Sequence, residues 1–244
     1  MATSQRRSTG QVLVQQVMKG MSMTVPTTIA GDTDKRTQQW WQLATEVGQK
    51  LAMGQHKWQI LSRDHTIVTT IGVDIYVLPT DFDGYVADSS WNRSKRLPVI
   101  GSIAEFEWQM LKARLLSGTS FTALFKVQND KVVFYNVPTA VETIVLPYTS
   151  RGWVRDATDA NLYKDNLEVD NDIVLYDPQL FKTALKLAWY EAKQFDTTKL
   201  LREYARVEAA AKANDVPGRT LSIAKGSDYP YLGVLNLPDT GYGS

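Results

Sequence analysis

Cysteine is absent from the 244-residue chain, and histidine occurs only twice. The lack of cysteine excludes disulfide bonds, thiolate metal sites and cysteine nucleophiles. A net charge of one sign is lacking too, because 27 Lys and Arg residues nearly balance 26 Asp and Glu residues. Nucleic-acid-binding proteins usually carry a basic surface instead. No apolar run approaches the roughly 20 residues of a membrane helix, and no signal peptide is recognisable, so we expect a soluble, non-secreted protein without membrane contact.

Motifs of common catalytic sites are missing as well: the chain has no G-x-x-x-x-G-K-[ST], G-x-G-x-x-G or G-x-S-x-G sequence. Asp81 and Asp83 resemble a carboxylate pair for glycoside chemistry, but Asp beside a proline more often shapes a turn. His56 and His65 are an odd number of residues apart, so a regular strand places them on opposite faces. Residues 156–172 are acidic but lack the EF-hand glycine, which predicts a solvated loop. We expect no enzymatic activity, no metal and no cofactor.

Apolar residues at helical spacing predict helices near both ends of the chain. Two are predicted before residue 55, with N-caps at Ser8 or Thr9 and at Asp32. Two more are predicted after residue 174, the first with Asp177 as N-cap and a proline following it. The region between them is rich in β-branched residues at strand spacing, and it contains one predicted helix from Ser102 to about residue 118.

This order of elements predicts an α+β fold, a small helical bundle built from the first and last helices. A β-rich unit carrying one helix is inserted into that bundle, and an extended C-terminal tail follows it. The predicted regions are residues 1–55 (N-terminal helices), 56–174 (inserted β-rich domain), 175–215 (C-terminal helices) and 216–244 (tail).

Residues 76–101 combine a strand end, an acidic turn, aromatic anchors and a basic run. The basic run either contacts carboxylates or phosphates of a partner or stays solvated, and the aromatic side chains belong either to the core or to an interface. The tail holds more Tyr and Leu than a solvated linker needs, which favours docking on a neighbouring protein. The predicted subunit or partner contacts are Phe82, Trp91, Arg93, Arg96, Tyr229, Tyr231, Leu232 and Leu235.

The sequence of this stretch resembles a known pattern, "Y-x-L-P-x-D-F-D-R" followed by "W-x-R-T-N-R-W-P-L-x-G" and an "E-W" helix. The matching residues are Tyr76–Asp83, Trp91–Arg93, Arg96–Gly101 and Glu107–Trp108. Looser matches elsewhere extend the similarity over roughly residues 35–195; they are Trp58, Pro138–Ala140, Ser150–Val154, Leu185 and Ala188. The chain departs from the pattern at Gly84 and Leu97, where the family has arginine and tryptophan.

The pattern is that of the head-to-tail adaptor (connector or neck) proteins of tailed bacteriophages. The resemblance implies a structural virion protein at the head–tail junction, assembled in the host cytoplasm. Such proteins form a ring, usually a dodecamer, that docks under the portal protein, extends the DNA channel and connects the capsid to the tail or nozzle protein. Double-stranded DNA passes through without specific binding. A tail-tube or nozzle subunit is the alternative.

Overall fold

The computed structural model describes residues 7–113 and 123–215. The helices in these ranges are α1 (Gly10–Gly20), α2 (Lys35–Met53), α3 (Glu105–Ala113), α4 (Pro178–Ala192) and α5 (Thr198–Asn214). The first strands are β1 (Ser8–Thr9), β2 (Ser62–Val68), β3 (Ile75–Val77), β4 (Phe82–Tyr85), β5 (Trp91–Asn92) and β6 (Leu97–Pro98). They are followed by β7 (Phe125–Gln128), β8 (Lys131–Phe134), β9 (Thr143–Ser150), β10 (Val154–Arg155), β11 (Tyr163–Lys164) and β12 (Ile173–Val174).

The predicted fold, a small helical bundle with one inserted β-rich unit, is wrong. The described residues form twelve strands in three antiparallel sheets, in the orders β1-β12-β10-β11, β2-β9-β5-β6 with β4 also on β9, and β3-β8-β7. The first sheet joins the start of the chain to residues 154–174, so strands and helices are interleaved from the N-terminus onward. Each strand of that sheet has two residues, too few to show the alternation by which strands are recognised in a sequence.

The first core lies between the helices and this short-stranded sheet. Trp40 of α2 stacks on Trp189 of α4 with ring centroids 4.0 Å apart. Trp153 is fully buried, and its indole nitrogen donates to the carbonyl of Asp165 at 2.8 Å. Its ring lies on Gly48 of α2, where an added Cβ would be 2.2 Å from the indole. A glycine in the middle of α2 therefore lets the sheet pack closely on the helix.

The second core is enclosed by the other two sheets. Its buried residues are Ile67, Leu78, Val99, Phe125, Val132, Phe134, Ile144 and Leu146. Helix α3 covers part of the outer face of the third sheet, where the Nζ atom of Lys126 lies 5.1 Å from the centroid of the buried Trp108 ring. The longest antiparallel pairing of the second sheet joins β2 and β9, from Ser62↔Thr149 to Val68↔Thr143.

Two of the predicted helix N-caps are confirmed and two are wrong. Thr9 caps α1, and Asp177 caps α4 with Pro178 in its first turn, as predicted. The N-cap of α2 is Asp34 rather than Asp32. Ser102 does not cap α3, because that helix begins at Glu105 and the Ser102 hydroxyl accepts from the backbone N–H of Val127 at 3.0 Å. The predicted end of α3 and the predicted tail lie outside the described residues.

Candidate interaction surfaces

Residues 76–101 cross from the third sheet into the second. The stretch leaves β3, forms β4, β5 and β6, and ends where Ile100 makes a parallel bridge to Leu124 beside β7. Gly101 leaves no room for a side chain there, since a Cβ would lie 2.4 Å from the carbonyl oxygen of Phe125. The stretch thus ties together the two sheets that enclose the second core.

Phe82 and Trp91, two of the predicted contact residues, are half-buried within the chain's own sheet. The Phe82 ring stacks on Tyr148 with centroids 5.7 Å apart and packs against the second core. Trp91 pairs with Val145 on one side and with Pro98 on the other. The Phe82 side chain therefore contributes to the second core and the Trp91 backbone to the second sheet, and a contact of either residue with another subunit stays a prediction.

Arg93 and Arg96 lie in the turn between β5 and β6, and both are exposed. Arg96 adopts a left-handed backbone conformation with φ of 56°. Lys95, between them, is held by Glu142 at 2.7 Å. The turn presents two guanidinium groups whose geometry suits carboxylates or phosphates of a partner. The other predicted contacts, in residues 229–235, lie outside the described residues.

Asp81 and Asp83 are engaged separately and do not form a carboxylate pair. The Asp81 carboxylate accepts hydrogen bonds from the hydroxyls of Tyr148, at 3.0 Å, and Ser150. Burial, and then the hydrogen bond to Asp81, raise the pKa of Tyr148 well above its ordinary value. Asp83 pairs instead with Lys57 at 2.8 Å. Asp81 thus connects the start of β4 with β9, and Asp83 connects β4 with the segment before β2.

The acidic stretch 156–172 is a solvated loop only in part: residues 157–162 are exposed, but several of its acids are engaged in the fold. The ammonium group of Lys164 lies 2.8 Å from Asp156, 2.9 Å from Glu168 and 3.1 Å from Asp172. Burial alone lowers the pKa of Lys164, but hydrogen bonds to these carboxylates outweigh it and raise the pKa. A fourth acid, Asp170, accepts from the backbone N–H of Ala30 at 2.7 Å. Asp156, Asp170 and Asp172 therefore stabilise the fold, while the stretch keeps a net negative charge, because Lys164 is its only basic residue against six acids.

The two histidines have unrelated partners. His65 is half-buried, and burial lowers its pKa against the opposing influence of the Val77 carbonyl and Asp81. His56 lies 2.9 Å from the carboxylate of Asp215. Among residues 7–113 and 123–215, no cluster of three or more His, Asp and Glu side chains is arranged as a metal site. In that same part of the chain, no helix has the length and apolar character needed to cross a membrane.

An exposed apolar surface, which we call the apolar tip, lies at one end of the β region. Two loops meet there, with the N–H of Gly72 donating to the carbonyl of Pro138 at 3.1 Å. Strand β3 continues the surface, because Tyr76 points into the second core while its neighbours Ile75 and Val77 point outward. The members of the apolar tip are Val68, Ile71, Val73, Ile75, Val77, Val137 and Val141.

Sequence reasoning missed this surface although its signal was visible. Ile71, Val73, Ile75 and Val77 recur at every second position, which predicts a strand with one apolar face. In the structure Val77 is 70% exposed, and β3 is the edge strand of its sheet.

A cleft of about 220 Å³ opens between α2, α4 and α5 on the helical side. All three helices contribute apolar lining residues: Val47, Leu51, Ala184, Leu187, Ala188 and Tyr204. Charged side chains line the cleft as well, namely Lys50, Glu191, Glu208 and Lys212. Burial, reinforced by the nearby Glu208, raises the pKa of Tyr204, so its hydroxyl stays neutral at physiological pH.

Comparison with known proteins adds no relative: no protein-family model matches the chain, and no curated protein matches it significantly. The surfaces themselves must therefore indicate what the protein does.

Proposed function

We propose that the protein is a structural subunit of a virion, a head-to-tail adaptor that assembles into a ring beneath the portal and extends the DNA channel toward the tail. The resemblance of residues 76–101 to the adaptor pattern supports the proposal. The chain has no reaction to catalyse in this role. Its work is to bind copies of itself and its neighbours in the particle.

The apolar tip is the observation that carries the proposal. Contiguous exposed apolar surface on a soluble chain marks an interaction site. Strand β3 adds two outward side chains without charge, Ile75 and Val77. Its backbone edge is partly occupied, because the carbonyl of Val77 accepts a hydrogen bond from His65. A second copy of the chain that packs on the exposed side chains removes their apolar surface from water.

The turn with Arg93 and Arg96 supplies a polar counterpart. Exposed guanidinium groups at an interface contribute little affinity. They orient the approaching partner and disfavour misaligned contacts, because like charges repel each other. In a ring, each copy repeats the same pair of contacting surfaces, so the apolar tip and the basic turn would each face a complementary surface of the next copy.

The test is the mass of the protein alone and mixed with the portal protein of the same phage, measured by light scattering and checked for rings by electron microscopy. We expect a closed ring, at least in the presence of portal. Val77→Lys places a charge in the apolar tip and should prevent ring formation, whereas Met53→Lys, at a position that is 73% exposed on the helical side, should not.

A chain that stays monomeric with and without portal would overturn the proposal. So would rings that form equally well in Val77→Lys. A ring that binds the tail proteins but leaves the portal free would favour the tail-tube or nozzle subunit instead.

A further inference from the structure

We infer that the cleft between α2, α4 and α5 is a docking site for the chain's own segment 216–225. The inference does not depend on the adaptor proposal, because it concerns the helical side of one chain and needs no ring. Its basis is an open apolar cleft, the place where helix α5 ends, and the composition of the residues that follow.

The cleft has the size and lining of a side-chain pocket. An apolar cavity of about 150 Å³ is enough to hold a benzene ring, and this cleft measures about 220 Å³. Two aliphatic side chains or one aromatic ring therefore fit. Leu51 of α2 and Leu187 of α4 form opposite walls, and Tyr204 of α5 closes one side. The apolar part of the lining favours an apolar occupant, because burial of both surfaces removes them from water.

The end of α5 lies close to this cleft. Asp215 is the last residue described, and its carboxylate is held by the His56 side chain at 2.9 Å and by the backbone N–H of Gln59 at 3.0 Å. His56 itself lines the cleft. Asp215 itself lines a neighbouring cleft beside Ile60, and its contact with His56 places the end of the described chain one side chain away from this cleft.

Chain length identifies the residues that can enter. From Asp215 back to Tyr204, α5 advances 1.5 Å per residue, which makes about 16 Å. An extended segment covers that distance in about five residues at 3.3–3.6 Å each. Leu221 and Ile223 are the first large aliphatic residues at or beyond this reach. A short tether also gives the segment an effective concentration in the millimolar range, which no free partner matches.

This assignment separates two halves of the tail. Leu221 and Ile223 serve the chain's own cleft, and the later residues Tyr229, Tyr231, Leu232 and Leu235 remain for a neighbouring protein. Docking the first half fixes the point from which the second half extends.

Photo-cross-linking in the full chain tests the inference. Because the protein has no cysteine, Lys50→Cys at the cleft rim provides a single attachment point for a benzophenone maleimide. After irradiation and digestion, we expect an adduct with a peptide from residues 216–225, in protein that runs at the mass of one chain. Circular dichroism confirms that each variant is folded.

Matched variants show whether the cleft and those side chains cause the adduct. Leu221→Lys/Ile223→Lys should lose it, and Leu235→Lys/Leu237→Lys, with the same charge change further along, should keep it. On the cleft side, Ala188→Lys should lose it and Ala209→Lys, on the exposed face of α5, should keep it. The inference is overturned if no adduct forms with residues 216–244, if Leu221→Lys/Ile223→Lys leaves it unchanged, or if it appears only between two chains.

Discussion

Replacing Lys164 with methionine should destabilise the protein by about 3 kcal/mol. The side chain of Lys164 is 13% exposed, and its partner Asp172 is 0% exposed. Removing one member of a buried pair usually costs about 3–5 kcal/mol, because the other charge stays buried without compensation. Two backbone N–H groups, those of Glu168 and Val169, still donate to Asp172 at 2.8 and 3.0 Å. These two hydrogen bonds partly compensate the buried charge of Asp172, so the expected loss of stability lies at the lower end of about 3–5 kcal/mol.

The difference between wild type and Lys164→Met should also depend on pH. Hydrogen bonds, first from Lys164 and then from Thr158, lower the pKa of Asp156. That contribution to stability is present above the unfolded pKa of about 3.9 and is lost as pH falls through the folded pKa. The pKa of Lys164 is raised, so its contribution is present below about pH 10.4 and is lost as pH rises through the folded value. The deficit of the variant should be largest between about pH 5 and 9 and smaller on both sides.

Urea unfolding followed by tryptophan fluorescence and circular dichroism measures both effects. Lys212→Met is the matched control, since Lys212 pairs with Glu208 at 2.8 Å on the surface of α5 with 41% of its side chain exposed. An exposed pair of this kind contributes less than about 0.5 kcal/mol. If Lys164→Met is no less stable than Lys212→Met, or if its deficit is the same at every pH, the acidic stretch is not organised around Lys164 as argued.

Two further substitutions test how the first core and its helices are held. Gly48→Ala should lower the free energy of unfolding by about 2 kcal/mol, because the added methyl group overpacks against Trp153. This is a net loss, since alanine gains about 1 kcal/mol in helix propensity. Gly20→Ala is the control and should be neutral or stabilising, because nothing lies within 4 Å of its added methyl group. Asp177→Ala should cost about 1 kcal/mol, because its carboxylate accepts from two backbone N–H groups in the first turn of α4. Thermal unfolding measures both, and a Gly48→Ala protein at least as stable as wild type would contradict the close packing of Trp153.

The helices were predictable because each has a repeating apolar face, although the starts of α2 and α3 were misplaced. Asp177 followed by Pro178 specifies the start of α4 from two adjacent residues. The short-stranded sheet was not predictable, because Ser8–Thr9 finds its partner at Ile173–Val174, more than 160 residues away. Two-residue strands carry no periodicity, and their pairing depends on how the helices have already packed.

At the candidate surfaces too, features set by neighbouring residues were predictable, and contacts between residues far apart in the chain were not. Lys164 and Glu168 are four residues apart, but no helix covers them, so the helical i, i+4 rule does not explain their ion pair. The approach of Asp156 and Asp172 to the same lysine requires the folded chain. Likewise, the apolar alternation of Ile75 and Val77 predicts a strand, yet only the pairing of β3 with β8 decides that Tyr76 is the inward residue.

The apolar tip and the helical cleft belong to different cores, so their functions should be separable. Val77 lies beside the second core and Leu51 in the first. Perturbations of sites that share no partners are usually additive. Val77→Lys should therefore prevent ring formation without reducing the adduct from the Lys50→Cys cleft, and Leu221→Lys/Ile223→Lys should do the reverse. If Val77→Lys also removes the adduct, the cleft is completed by a neighbouring copy in the ring, and tail docking and assembly are one event.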